Sequence, residues 1–371
     1  MTGDGVMVMA APLGRVGRML RGSHRALRRP IGGITDGPRG RRAGRWSQSP
    51  PDPAPEAPMT PSISMTVVDR SEAAAGIAVL RLRPADGAPT PVWAAGDHVD
   101  VGTPYGLRQY SLCGRPDDGA WTIAVRRDAG GRGGSRWLHE TARIGVRIDL
   151  GAPRSTFPFR SAPRYAFIAG GIGITAVLSM LDRASADGAD WTLLYTVRDA
   201  DGHALADHLP ADPRVTLWSS ARDGRVDVGE VLDANPDAAI YCCGPAGLID
   251  DVREAAAARG RAASVTIERF EAIDRRTTEV AVDRPFDLHL ARTGRTLLVP
   301  ADRSALDALG DAGVFVPSSC REGICGSCEL PVLAGEVDHR DSVLDDAERA
   351  EHACFFPCVS RAHGRALTID A

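Results

Sequence analysis

Five of the eight cysteines, Cys320, Cys325, Cys328, Cys354 and Cys358, fall within the last 52 residues of the chain. Thiols gathered in one stretch favour a metal site over scattered disulfides. Cys320-Arg-Glu-Gly-Ile-Cys325-Gly-Ser-Cys328 has the spacing C-x4-C-x2-C, and Cys358 supplies a distant fourth thiol. Four thiolates spaced in this way hold the two irons of a plant-type [2Fe-2S] cluster. Gly323, Gly326 and Ser327 suit that task, because small residues let backbone N–H groups turn towards the sulfurs and stabilise the charge gained on reduction. A structural zinc site is the competing reading. Zinc ligands usually come as symmetric close pairs, whereas here three thiolates share one nine-residue loop with a lone fourth. Cys354 competes with Cys358 for the fourth place; we assign Cys358 and read Cys354 as a small core residue.

Two further signals concern phosphate. Arg108-Gln-Tyr110-Ser111 closes a β-type run, and an Arg there can fork onto a phosphate while Tyr and Ser line the edge of a planar ring. By itself the motif also suits an ordinary strand. The run Gly130-Gly-Arg-Gly-Gly134-Ser135-Arg-Trp-Leu-His139 opens into a helix, where free N–H groups and the Ser135 hydroxyl could cap a phosphate; a flexible loop with an N-capping Ser is the plainer alternative. Together, in one barrel-like segment, they point to a flavin phosphate site. Then Gly170-Gly171-Ile-Gly173-Ile-Thr175 follows one β-run directly, and Cys243-Gly244-Pro245 ends a later one. Glycine turns at the carboxyl ends of two parallel strands form the crevice where α/β sheets bind nucleotides, so a nicotinamide nucleotide is the expected ligand.

These residues need three kinds of scaffold. Short β-runs recur between Ile63 and Phe159: Ile63–Val68, Ile77–Leu82, His98–Val101 and Trp121–Val125, with turn residues at barrel-like spacing. From Tyr165 to Phe270 strand and helix alternate, as Tyr165–Ala169, Ile174–Ala186, Trp191–Thr196, Ala238–Cys242 and Gly247–Ala258, which is the pattern of a parallel sheet with crossover helices. From Thr278 onward short strands surround one helical candidate, Ser304–Ala312, ahead of the cysteines. The expected division is a disordered Arg/Pro/Gly-rich extension over 1–60, a flavin-binding barrel over 61–162, a nucleotide-binding α/β domain over 163–274 and an iron-sulfur domain over 278–371.

Composition excludes several classes. A chain of 371 residues with 43% hydrophobic and 25% charged residues can bury two or three cores, so it is no small disulfide-stapled module. A net charge of -4 leaves no global basic field for nucleic acid or an anionic membrane. All 44 basic residues are Arg, ten of them before residue 60; that arm reads as a linker or extension, with a basic targeting or docking arm as its rival. Asp4 and Arg15 interrupt the N-terminal apolar stretch, so no secretory leader is expected and a reducing cytoplasm is the expected location. The uncharged run Tyr165–Leu181 is 17 residues long and holds three glycines, which suits a strand and turn better than a membrane span.

In this order the motifs resemble the phthalate dioxygenase reductase family, which includes the reductase component of vanillate O-demethylase. The resemblance runs from about Ile63 to Ala371 and rests on Arg108–Cys113, Gly133–His139, Gly170–Thr175, Tyr241–Pro245, Glu268-Arg-Phe270 and Cys320–Cys328 with Cys358–Arg361. It implies a multidomain α+β and α/β fold: a ferredoxin-reductase-like flavin β-barrel, a parallel α/β nucleotide domain and a C-terminal β-grasp ferredoxin. It further implies FMN held by Arg108, Tyr110, Ser111, Gly134 and Ser135, and NADH at Gly170, Gly171, Gly173, Thr175, Cys243, Gly244 and Pro245. Phe270 would lie close to the flavin. The family usually places Pro after the Gly-Ile-Thr turn, and Ala176 stands there instead.

Electron counting then suggests the task. A nicotinamide gives up two electrons as a hydride and a [2Fe-2S] cluster accepts one, so a flavin must stand between them. The expectation is an NAD(P)H-dependent reductase feeding a separate terminal oxygenase, Rieske-type and acting on an aromatic acid, since the chain shows no Rieske Cys-x-His pair of its own. A reductase for a haem-thiolate or other monooxygenase is the near alternative; a redox-sensing regulatory iron-sulfur protein is the distant one. Asp199 beside the second strand favours NADH, while Arg198, Arg222 and Arg225 are available for the 2′-phosphate of NADPH. The acidic stretch from Asp338 to Glu351, with Asp341, Asp345, Asp346 and Glu348, either steers a basic partner or is simply solvated.

Overall fold

The computed structural model describes residues 62–271, 283–344 and 346–371. The extension expected over 1–60, the boundary between 274 and 278, and Asp345 lie outside the described residues.

Alternating apolar residues build the first sheet. Its strands are β1 (Ile63–Ala74), β2 (Ile77–Pro84), β3 (Asp97–Val101), β4 (Arg108–Ser111), β5 (Trp121–Arg126), then helix α1 (Gly134–Thr141), β6 (Arg147–Leu150) and β7 (Arg154–Ser155). All pairings are antiparallel, in the order β4-β3-β6-β1-β2-β5 with β7 added to β3. Met65, Val67, Leu80, Leu82, Trp121 and Ile123 are buried at every second position, as a strand with one face inward requires. The Cys113 N–H donates to Thr122 O at 2.9 Å, tying the β4 edge to the β5 edge and curling the sheet into a barrel.

The second sheet is parallel and ordered β10-β9-β8-β11-β12, from β8 (Arg164–Gly170), β9 (Asp190–Val197), β10 (Val215–Ser219), β11 (Ala239–Cys243) and β12 (Val265–Glu268). Its helices are α2 (Ile174–Ala186), α3 (Ser220–Asp223), α4 (Val228–Asp233) and α5 (Ala246–Ala258). The chain runs outward from β8 to β10, then returns to the other side of β8 with β11. The strand order therefore reverses between β8 and β11, and an α/β sheet binds ligands at such a switch point.

The third sheet, β14-β13-β19-β15-β17, is mixed. It is made of β13 (Phe286–Leu290), β14 (Arg295–Val299), β15 (Leu330–Ala334), β17 (Cys354–Phe355) and β19 (Ala366–Ile369), with β13 and β19 parallel. Helix α6 (Ala305–Asp311) buries Leu306 and Leu309 in this sheet's core, and the Ser304 hydroxyl caps it by accepting from the Asp307 N–H at 3.1 Å. A small ladder of β16 (Val337–Asp338) and β18 (Arg361–Ala362), and helix α7 (Asp346–Ala350), complete a β-grasp arrangement.

The expected strands and the helices at 174–186 and 304–312 are present, with ends displaced by a residue or so; β1 runs on to Ala74. The short strands β6 and β7 escaped sequence reading, being four and two residues long and carrying Arg147 and Arg154. Among the described residues no helix is long and apolar enough to cross a membrane. Tyr165–Leu181 is a buried strand, a tight turn and half a helix.

Candidate functional site

Two cavities of about 440 and about 120 Å³ lie where the three sheets meet. Both are lined by Arg108, Gln109, Ser111, Arg132, Phe270 and Glu322. The larger adds Tyr110, Gly134, Ser135 and Thr175, and the smaller adds His98, Glu268, Arg269 and Cys320. A single hollow region thus collects the Arg-x-Tyr-Ser strand, the Gly-rich turn, the aromatic residue after β12 and one cluster cysteine. The larger cavity is of the size that buries a small organic cofactor.

The anion end is built from β4 and the start of α1. Arg108 Nη1 donates to Leu107 O at 2.7 Å, while its Nη2 is buried with no protein partner. Such an orphaned donor costs about 1–3 kcal/mol unless something accepts from it, so the site is shaped for an acceptor. A Cβ on Gly134 would lie 2.7 Å from Arg108 Cγ, so only glycine lets this side chain lie across the helix start. Gly133, at φ 96°, occupies the cap position with no side-chain hydrogen bond, leaving the first-turn N–H groups available. Ser135 is not the cap. Its hydroxyl accepts from the Asp128 N–H at 3.1 Å and ties down the loop instead. Burial pushes the Tyr110 phenol up, which keeps its proton available for donation.

Opposite stands Glu268, the last residue of β12, to which the sequence assigned no role. Burial pushes its carboxyl up to about 8. Its Oε2 is buried without a protein partner, a setting that favours the neutral carboxylic acid. His98 moves the other way, down to about 4, because burial and the nearby Arg154 disfavour the imidazolium. Arg269 is held by Asp250 at 2.9 Å and keeps its Nη1 unpartnered within the protein.

The two glycine turns pack closely on one another. A Cβ on Gly170 would meet Pro245 Cδ at 2.6 Å, and one on Gly244 would meet Gly170 Cα at 3.0 Å. One on Gly173 would fall 2.2 Å from Cys243 O. These glycines are required by the packing of one turn on the other. Gly171, at φ 53° with open space around it, keeps its backbone accessible. Thr175 lines the larger cavity and donates from Oγ1 to Ile172 O at 2.9 Å. Gly170, Gly171, Gly173, Cys243, Gly244 and Pro245 do not line either cavity, and the Cys243 thiol is fully buried, its pKa pushed up by burial. Ala176 is buried within the first turn of α2, which forms without a proline.

The four cluster thiols lie as two couples. Cys328 Sγ and Cys358 Sγ are 3.3 Å apart, and Cys320 shares a hydrogen bond with Cys325. Among the described residues no three His, Cys, Asp or Glu side chains converge on a point as one metal ion requires. Two couples side by side fit two irons better than one tetrahedral zinc. The Glu322 N–H donates to Cys320 Sγ at 3.3 Å, and Gly323 and Gly326, at φ 71° and 70°, wind the loop inward. Cys354 sits apart on β17, partly buried in the third core.

Part of the acidic stretch is not on the surface. Asp341 is fully buried and accepts from the Val343 and Leu344 N–H groups at 3.1 and 3.0 Å, so it cannot steer a partner. Asp338 is paired with Arg340 at 2.7 Å. Nor are two of the arginines offered to a 2′-phosphate idle: Arg222 pairs with Asp223 and Arg225 with Asp251, at 2.6 and 2.5 Å.

Residues 288–363 match the family of 2Fe-2S iron-sulfur cluster binding domains. A toluene-4-sulfonate monooxygenase system reductase subunit of Comamonas testosteroni is 38% identical over 84% of this chain and 100% of its own. Phthalate dioxygenase reductase of Burkholderia cepacia is 36% identical over 83% of this chain and 97% of its own. The solved phthalate dioxygenase reductase, described as a modular structure for electron transfer from pyridine nucleotides to [2Fe-2S], superposes with a TM-score of 0.64 at 35% identity, covering 84% of this chain and 98% of that one. An intact type IV self-sufficient cytochrome P450 monooxygenase superposes with a TM-score of 0.74 at 38% identity over 84% of this chain, which spans only 41% of the longer protein.

Proposed function

This chain belongs to the phthalate dioxygenase reductase family of oxygenase reductases, and from that premise we propose that it oxidises NADH and hands single electrons to a separate terminal oxygenase. The observation that carries the reading is the wall the two cavities share: Arg108 and Ser111 of the barrel, Phe270 beyond the parallel sheet and Glu322 of the cysteine loop line both, and Cys320 lines the smaller one. FMN in the larger cavity and a [2Fe-2S] cluster on the four thiols supply, when bound, the conversion of two-electron into one-electron transfer.

The chain's own residues do the placing. Arg108 and the free N–H groups at the start of α1 hold the flavin phosphate, with Gly134 leaving room, Ser135 bracing the loop, and Tyr110 and Ser111 along the ring edge. The turns at Gly170, Gly171, Gly173 and Thr175 and at Cys243, Gly244 and Pro245 hold NADH, with Phe270 covering the flavin. Glu268 keeps a proton at the cavity wall. Cys320 with Cys325, and Cys328 with Cys358, hold one iron each. The paired state of Arg222 and Arg225 supports NADH over NADPH, because their charge is already matched. Domains over 61–162, 163–274 and 278–371, an extension over 1–60 and a cytoplasmic location accompany this reading.

Anaerobic titration of the purified protein with NADH, and separately NADPH, tests it, with the released flavin identified. Bleaching of the flavin bands at stoichiometric NADH and a reduced [2Fe-2S] signal in low-temperature EPR are expected. A cluster that dithionite reduces and NADH does not would reject the reductase and favour a sensor. A Rieske-type oxygenase acting on an aromatic acid is the proposed acceptor. The similarity to a self-sufficient cytochrome P450 favours a second reading, a haem-thiolate acceptor, and reconstitution with each class of oxygenase separates the two.

A further inference from the structure

The cysteine loop is gripped from the barrel by a polar network that touches neither cavity's anion end. Arg154, the first residue of β7, lies opposite His98 of β3 in the sheet. Its Nη2 donates to both carboxylate oxygens of Asp100 at 2.7 Å, and its Nη1 donates to Ser327 Oγ at 2.7 Å. Ser327 stands between two cluster cysteines, with its Oγ 3.3 Å from Cys325 Sγ. On the other side of the loop the Ser319 hydroxyl, next to Cys320, donates to the same Asp100. One carboxylate and one guanidinium of the barrel therefore hold the loop at both ends of the Cys320–Cys325 segment.

We propose that Arg154 is a positioning residue for the cluster: by donating to Ser327 it commits that hydroxyl's own proton to the Cys325 sulfur, raising the reduction potential while the loop is seated on the barrel. The proposal rests on the reading of these cysteines as [2Fe-2S] ligands. A hydroxyl has a single proton and two lone pairs. With one lone pair filled by the guanidinium, the proton turns away from Arg154, and the Cys325 sulfur is the acceptor on the far side. Hydrogen bonds to cluster sulfurs stabilise the more negative, reduced form. Reduction here adds one electron to the cluster and moves no proton or bond of the network. Asp100 offsets the charge of Arg154, so the effect arises from the direction of the hydroxyl. The side chains of Arg154 and Asp100 are only 31% and 17% exposed, so solvent does not dissolve the pair as it does a surface bridge.

An EPR-monitored redox titration of the full-length, cluster-loaded protein tests this. Arg154→Ala and Ser327→Ala are each expected to weaken the one-electron reduction equilibrium about tenfold, which is about 59 mV downward. The double variant should match Ser327→Ala alone, because both substitutions remove one hydrogen bond. Fully additive shifts, or an unmoved midpoint in Ser327→Ala, overturn the proposal. If Arg154→Ala does not fold, Arg154→Met combined with Asp100→Asn takes its place, since it removes the donor to Ser327 and leaves no unpaired buried charge; a shift of the same sign is expected and no shift overturns it. A wild-type protein with no [2Fe-2S] signal after dithionite would instead refute the cluster reading itself, so the two failures are distinct.

Discussion

The barrel meets its two neighbours through seams of opposite character. Towards the parallel sheet the seam is apolar. Ile77, Val79, Cys113 and Phe157 of the barrel share one buried core with Tyr165, Phe167, Met180 and Tyr241. Phe157 meets Tyr241 edge-on with centroids 5.5 Å apart, and the Tyr241 hydroxyl accepts from the Arg160 N–H at 2.8 Å. A Cβ on Gly96 would lie 2.2 Å from Phe157 O and 2.7 Å from Met180 Cε. Towards the β-grasp unit the seam is polar: Arg154 with Asp100 and Ser327, and Arg132 with Glu322 at 3.1 Å. The third core draws only on residues from Phe286 onward.

The difference matches the two chemistries proposed. Hydride transfer needs donor and acceptor held to fractions of an ångström, which close-packed aromatic groups provide. Single-electron transfer tolerates looser geometry. Polar contacts between separate cores also allow relative movement more readily than a shared core does.

The largest expected effect comes from Cys325→Ser, which should abolish reduction of a one-electron protein acceptor while NADH still bleaches the flavin. Retained delivery to the acceptor would show that electrons leave by another route. Next, Tyr241→Ala should cost about 3–5 kcal/mol in denaturant unfolding, with barrel and parallel sheet melting together. Two separate transitions for those sheets would contradict the shared core.

A pH test follows at a few kcal/mol. The folded Glu268 carboxyl sits near 8 against an ordinary 4.5, so the folded protein binds the extra proton between those values. Its contribution is complete below about pH 4.5 and is lost as pH rises through about 8. Flavin-free protein should therefore lose stability from pH 5 to 9, and Glu268→Gln should flatten that slope; an equal slope in both would rule out a buried neutral carboxyl. The smallest effect belongs to the polar seam. Arg132 and Glu322 are each about two-fifths exposed, so Arg132→Ala should change stability by about 1 kcal/mol or less, yet raised salt should slow flavin-to-cluster transfer and leave hydride transfer alone. Salt-independence of both rates would remove the contrast between the seams.

Legibility in the sequence followed the range of the forces involved. Helix 174–186 was readable because an apolar run, uncharged as far as Leu181, follows a glycine turn. Helix α6 was read over Ser304–Ala312, and the structure makes Ser304 its cap. Ser135 was read as a phosphate contact, and local spacing could not show that its hydroxyl also braces the loop by accepting from the Asp128 N–H. Gly170 and Gly244 were read as letting a nucleotide approach, and the sequence could not show that each also makes room for the other across 74 positions. Glu268 was visible only as part of the Glu268-Arg-Phe270 motif, with no role, and Arg154 carried no signal: a carboxyl becomes a neutral acid, and an arginine a clamp, only through residues distant in the chain.

The sequence by itself determined the ligand types, since thiol spacing, glycine turns and strand periodicity are local and chemistry-specific. Only the tertiary structure decided which elements share a wall, which glycines serve packing, and that one seam is apolar and the other ionic. Burial, desolvation and pairing are properties of the neighbours a residue acquires on folding, and those neighbours lie 54 residues away for Arg154 and Asp100 and 173 for Arg154 and Ser327.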